Sequence, residues 1–259
     1  MARIKIGVDA GHGGRDRINR GPTGYVEADG NLQMAQLLKM ILEGTGAFDV
    51  ILTRTADTTV ELRQRANLLA DAGCELVISL HSNALNGAVR GTECFYSVDL
   101  PNDKEIAAKM SSRIAKSFGV PDRGAKAWAA DIKSPGRSGA TKDNPEDHLA
   151  FIDQAQDRGI KHVLLLETLF HDNPLDEALL KNIHNHKLMM DIVAGVLCEV
   201  FHVECLTHVQ RALKALNYRL ADRGAQLLDE EFWQEHAVKG KTVDGGLVAA
   251  FIDRMTKLL

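Results

Sequence analysis

Three short apolar runs, each stopping at or just before a residue that can bind a metal or carry a proton, constrain this chain more than any other feature. Ile4-Lys5-Ile6-Gly7-Val8 leads into Asp9-Ala10-Gly11-His12-Gly13-Gly14. Leu76-Val77-Ile78-Ser79-Leu80 stops at His81-Ser82-Asn83, and Val163-Leu164-Leu165-Leu166 stops at Glu167. Nearly continuous apolar runs suit strands of a sheet covered on both faces. In open α/β sheets, ligands gather at the carboxyl ends of the strands. His12, His81 and Glu167 all fall there, and the histidines sit in loops of small residues.

Two further strands are expected, at Phe48–Thr53 and Gly91–Ser97. Between the strands run amphipathic helices. Leu32, Ala35, Leu38 and Leu42 recur at helical spacing before Gly44 and Gly46. Leu62, Ala66 and Leu69 do so before Gly73, and Ile106, Met110 and Ile114 form a third stripe. One long helix is expected after Pro174, carrying Leu175, Leu179, Ile183, Met190, Val193 and Leu197. The alternation predicts an α/β fold with a mixed, mostly parallel sheet flanked by helices. Residues 121–161, rich in proline, glycine and charge, read as an irregular substrate-facing loop with a short helix around Leu149–Ala155. Beyond Val203 the pattern changes to three short helical stripes. The expected division is therefore a catalytic domain over 1–203 and a small helical domain over 204–259.

The 259 residues carry a net charge of −4, so there is no broad basic field for nucleic acid or an anionic membrane. No nucleic-acid partner and no membrane insertion are expected, since no apolar run approaches the length of a spanning helix. The first residues read as a strand rather than a standard signal peptide, which implies synthesis in the cytoplasm. Of the four cysteines, none forms a C-x-x-C pair, which argues against a thiolate zinc cluster. Cys74 and Cys94 read as buried thiols.

A catalytic zinc takes three protein ligands and leaves a position for water. His12, Glu27 and His81 have that composition, if the glycine-rich segment after His12 folds Glu27 back beside it. Glu27 could instead serve only as a negative charge at a helix N-terminus. Glu167, at the end of an apolar strand, would be desolvated and so raised toward the range of a general base; the plainer alternative is a salt bridge. His171 lies near Glu167 but reads as an exposed loop histidine. His184 and His186, two apart on a helix, face different sides. Arg54 and Arg65 read as members of a structural ion pair, with orientation of site groups as the alternative. Lys126 and Trp128 are candidates for gripping substrate.

Taken together, Asp9–Gly14, Glu27 with Asn31, Leu52-Thr53-Arg54, Leu62–Asn67, Ser79–Asn83, Gly91-Thr92-Glu93, Arg123–Lys126 and Leu166–Phe170 resemble the zinc-dependent N-acetylmuramoyl-L-alanine amidases of the amidase-3 type. The segments occur in family order over roughly residues 3–200. The resemblance implies one Zn2+ held by His12, Glu27 and His81, with Glu167 as catalytic acid/base. It implies peptidoglycan as substrate and the amide between N-acetylmuramic acid and L-alanine as the bond cut. A departure is Leu169, where the family often has glycine. Val209–Tyr218 and Val243-Asp244-Gly245 resemble three-helix peptidoglycan-binding modules, which implies wall binding; a packing or oligomerisation element is the alternative. A wall hydrolase made without a signal would act after release, as in a phage endolysin or an enzyme freed by mother-cell lysis. Two rivals stay open: a metal-independent wall glycosidase using Glu27 and Glu167, and a wall-binding protein that does not cut.

Overall fold

The computed structural model describes residues 2–130 and 147–204. The expected helical domain at 204–259 lies outside the described residues apart from its first position. Elements run β1 (Ile4–Ala10), α1 (Glu27–Glu43), β2 (Phe48–Leu52), α2 (Leu62–Asp71), β3 (Leu76–Asn83) and β4 (Thr92–Tyr96). Then come α3 (Asp103–Phe118), β5 (Asp122–Ala127), α4 (Ala150–Asp157), β6 (His162–Phe170), α5 (Pro174–Leu180) and α6 (Ile183–Val200). The strands form one sheet in the order β2-β1-β3-β6-β4-β5. Every pairing is parallel except β4 with β6, so the sheet is mixed and mostly parallel, as expected.

Side chains alternate between the two faces of each strand, and both faces are dry. Ile6, Val8, Ile78, Leu80, Leu164 and Leu166 face one cluster, which also holds apolar residues of α1, α3 and α6. Val77, Val163, Leu165 and Phe95 face another, with Ala66 and Leu69 of α2 and Phe151, Ile152 and Ala155 of α4. That two-sided burial is why the strand sequences are almost uninterrupted in apolar residues. Gly7 in β1 is required by the second layer, since a Cβ there would lie 2.8 Å from Val77 and 2.9 Å from Leu69. Cys74, Cys94 and Cys198 are buried thiols.

Three expectations need correction. Residues 122–127 are not irregular: they form β5, the edge strand beside β4. The short helix expected around Leu149–Ala155 is present as α4. The long helix after Pro174 is two helices, because Asn182 stops the first and caps the second by accepting from the His184 backbone N–H. Leu175 and Ile183 are accordingly exposed rather than part of a buried stripe. Finally, His81 does not lie in a loop beyond its strand, and Glu167 is not the last residue of its own. Backbone pairing continues past the apolar runs, placing His81 opposite Glu167 and Asn83 opposite Phe170, with a register shift between them. No helix among the described residues is long and apolar enough to cross a membrane.

Candidate metal centre

The site is built on the C-terminal ends of β1, β3 and β6 and the first turn of α1. Asp9, near the end of β1, anchors it. This buried carboxylate accepts from Arg65 Nη1 at 2.9 Å, Thr53 Oγ1 at 2.6 Å and Ser79 Oγ at 2.6 Å. Burial alone would raise its pKa, but Arg65 and the two hydroxyls outweigh burial and hold it below the ordinary carboxylate value. Arg65 also donates to the carbonyls of Ala10 and His12, both at 2.7 Å. Arg54 donates to the carbonyls of Ala10, Gly11 and Ala28. Of the two arginines, Arg65 makes the ion pair. Both fasten the backbone that carries His12, so the orienting alternative also holds.

His12 has φ 61°, a left-handed conformation unusual for a residue with a side chain. It is fixed through its carbonyl by Arg65 and through its ring by Asp16, whose Oδ2 accepts from Nδ1 at 2.7 Å. A carboxylate on one ring nitrogen sets the tautomer and leaves the other free for a metal. That Nε2 lies 3.3 Å from Glu27 Oε2 and 3.3 Å from Asn19 Nδ2. Glu27 opens α1, where the helix dipole favours a carboxylate. It is buried, and accepts from Asn19 Nδ2 at 2.9 Å and the Ser82 backbone N–H at 3.0 Å. Its Oε1 is 3.1 Å from His81 Nδ1. Helix-terminus placement and membership of the cluster therefore coincide. Gly11 makes the approach of His81 possible: a Cβ there would sit 2.3 Å from His81 Cε1.

One nitrogen from each histidine and one oxygen of Glu27 lie within 4.8 Å of one another. Without a metal the three groups share charge. Burial works against protonation of His12 and His81, but hydrogen bonding to Glu27 wins, taking His12 up to about 9 and raising His81. Glu27 is driven well below the carboxylate range by the same bonds, against the effect of its burial. Two imidazoles and one carboxylate in such proximity match the donor set of a catalytic zinc site. The residues present fit a metal ion.

Glu167 lies on the strand next to His81. Its Oε2 is buried with no hydrogen-bond partner. Burial, reinforced by Glu27 and Glu93 and opposed by His81, lifts its carboxyl to about 7. Among the described residues no Lys or Arg pairs with it in a salt bridge. A cavity of about 670 Å³ opens beside the cluster, lined in part by His12, His81, Ile18, Thr59, Leu62 and Phe151.

Several neighbours were not legible. His171 is not an exposed loop histidine: it is 3% exposed, and its Nδ1 lies 2.9 Å from the Ser82 carbonyl and 3.9 Å from Glu27 Oε2. Asn19 and Asp16 support the cluster without any motif to mark them. Lys126 does not contact the three-residue cluster; its ammonium meets Glu93. Trp128 is half exposed and stacks on His148 with ring centroids 4.0 Å apart. His184 is exposed and His186 buried, on different sides of α6 as expected. Leu169 is fully buried in the core, which accounts for an apolar residue where glycine would leave a gap.

An α/β sheet that brings two imidazoles, a carboxylate within reach of both and a half-buried carboxyl with one unpartnered oxygen close together has the layout of a metal-assisted hydrolase centre. The chain belongs to the amidase-3 family, described as N-acetylmuramoyl-L-alanine amidase, whose model matches residues 6–198. It is 34% identical over 127 residues to the N-acetylmuramoyl-L-alanine amidase LytC of Bacillus subtilis, covering 48% of this chain and 25% of that protein. It is 34% identical over 134 residues to the endolysin of Bacillus phage SPP1, covering 49% of this chain and 48% of the endolysin. The chain thus spans between a quarter and a half of the length of these relatives. The catalytic domain of CwlV, an N-acetylmuramoyl-L-alanine amidase from Paenibacillus polymyxa var. colistinus, superposes with a TM-score of 0.64 at 25% identity, over 78% of this chain and 99% of that domain.

Proposed function

We propose that this protein is a peptidoglycan hydrolase that cleaves the amide between N-acetylmuramic acid and the L-alanine of the stem peptide, using one zinc ion held by His12, Glu27 and His81. One observation carries the reading: the half-buried carboxyl of Glu167, whose Oε2 is buried and unpartnered, sits on the strand beside a two-histidine, one-glutamate cluster. Membership of the family and the amidase names of its relatives support it. Glu27, held as an anion between two imidazoles, suits a ligand and not the second carboxyl of a glycosidase.

When bound, zinc supplies Lewis acidity toward water and the carbonyl oxygen. Glu167 does the proton work. With a carboxyl raised to about 7, it accepts a proton at Oε2 near neutral pH as water attacks. It then returns the proton to the alanine nitrogen, which cannot leave as an anion. Asp16 holds the His12 ring, and Ser82 and Asn19 hold Glu27, so the ligands need no rearrangement. The cavity along His12, Leu62 and Phe151 gives the substrate a berth beside them.

Glu167→Gln tests this. The variant keeps zinc and loses about 10²–10⁴-fold in release of stem peptides from purified wall, the range for loss of a general acid/base. Chelation silences the wild type and zinc restores it. Near-normal release by the variant would sink the assignment. The likeness to the SPP1 endolysin supports action on the wall after release from a lysing cell, as an endolysin or autolysin. A neighbouring holin-like gene is what the endolysin setting leads one to expect.

A further inference from the structure

Beside Glu167 lies a buried carboxylate that the proposed reaction does not use. Glu93, on β4, is 4% exposed and sits opposite Glu167 in the antiparallel register. Its Oε1 accepts from Asn83 Nδ2 at 2.9 Å. Its Oε2 accepts from Arg123 Nε at 2.6 Å and from Lys126 Nζ. Two cations of β5 thus converge on one carboxylate and leave a net positive charge next to the reacting centre. Both remain about one third exposed, Arg123 at 30% and Lys126 at 36% of their side chains.

Arg123 uses only its Nε on Glu93. Its guanidinium carbon lies 5.0 Å from the centroid of the Phe170 ring, so ring contact and hydrogen bond together fix the guanidinium. Its two terminal nitrogens donate to no group among the described residues. An anchored, oriented guanidinium with a free fork matches a carboxylate, which it can bind through two parallel N–H···O bonds. Adjacent strands lie about 4.8 Å apart, so head groups that reach Glu93 sit roughly 5–10 Å from Glu167. An extended peptide advances about 3.3–3.6 Å per residue. A group on the second residue of the stem peptide therefore lies about 7 Å from the amide that Glu167 serves.

We propose that Arg123, assisted by Lys126, is the receptor for a free carboxylate on the second residue of the stem peptide, and so a specificity-determining residue. The glutamate at that position is joined onward through its side chain, which leaves its α-carboxyl free or amidated. This rests on the amidase reading above.

The test compares two soluble N-acetylmuramoyl peptides that differ only in carrying a carboxylate or a carboxamide at that position, with the full-length zinc-loaded protein. The carboxylate substrate is expected to have a kcat/KM at least about tenfold higher, with the difference mainly in KM. Arg123→Ala brings the ratio close to one, and Arg123→Lys, which keeps a charge on Glu93, gives an intermediate ratio. Binding of the corresponding L-alanyl-γ-D-glutamyl peptides, followed by NMR titration, gives a second readout independent of turnover. Hydrolysis with no discrimination and equal binding overturns the receptor and leaves the amidase reading intact. Carboxylate-selective binding without hydrolysis of either substrate supports the receptor and refutes the amidase reading. Neither hydrolysis nor selective binding overturns both.

Discussion

Gly11→Ala isolates the claim that the metal ligands are brought together by close backbone approach. Gly11 does not hold a left-handed conformation, so alanine is conformationally acceptable there and the effect is steric. The added Cβ would lie 2.3 Å from His81 Cε1 and 2.4 Å from Nε2. Carbon contacts are comfortable at about 3.5–4.0 Å, so ring and backbone must separate by roughly 1.2 Å or more. Metal sites hold their ligand distances to about ±0.2 Å. Disturbing a group that merely supports a ligand costs about 10–100-fold in metal affinity, and here a ligand itself is displaced. We expect zinc affinity to fall by about 100-fold or more. Competition against a chelating dye measures the affinity, and far-UV circular dichroism and the thermal midpoint check that the fold persists. Zinc affinity within about threefold of wild type, with the fold intact, would refute the reasoning.

Other expectations follow from the same contacts. Arg65→Ala leaves the buried Asp9 without its cation and should destabilise the protein by about 3–5 kcal/mol in urea unfolding; a loss below about 1 kcal/mol would contradict the anchoring role. Zinc binding must displace protons from His12, held at about 9, and from His81, also raised. Affinity should therefore weaken as pH falls below about 9, with proton release visible by calorimetry in buffers of different ionisation enthalpy, and a flat profile would contradict it. In the metal-free protein the sign is opposite. The His12 value lies above its unfolded 6.5, so its pairing stabilises the fold fully below that value and the contribution is lost as pH rises through about 9. Thermal midpoints of chelated protein across that window read the trend.

What the sequence disclosed, and what it did not, follows the range of the forces involved. Burial on both faces imposes continuous apolar runs, so β1, β3 and β6 were legible, and the residues at their ends marked the site. β5 was not. Asp122–Ala127 is a half-exposed edge strand whose polar side chains include two that meet Glu93, so it carries no apolar alternation. The break between α5 and α6 turns on one capping side chain, Asn182, inside a stretch that keeps helical spacing on both sides. The burial of His171 depends on Ser82, 89 positions away, and no local pattern reports such a contact. Glu27 was named as a candidate ligand from the glycine-rich segment before it and from the family resemblance, whereas Asn19 and the Ser82 backbone N–H that hold it in place were not revealed by its surroundings in sequence.

The central claim, zinc-dependent cleavage of the muramoyl–alanine amide, is tested most directly by mass spectrometry of purified peptidoglycan digested with the zinc-loaded protein. The account predicts stem peptides with new free L-alanine amino termini and glycan strands left uncut, with no products after chelation. New reducing sugar ends on fragments that still carry their peptides, formed equally with and without zinc, would contradict it.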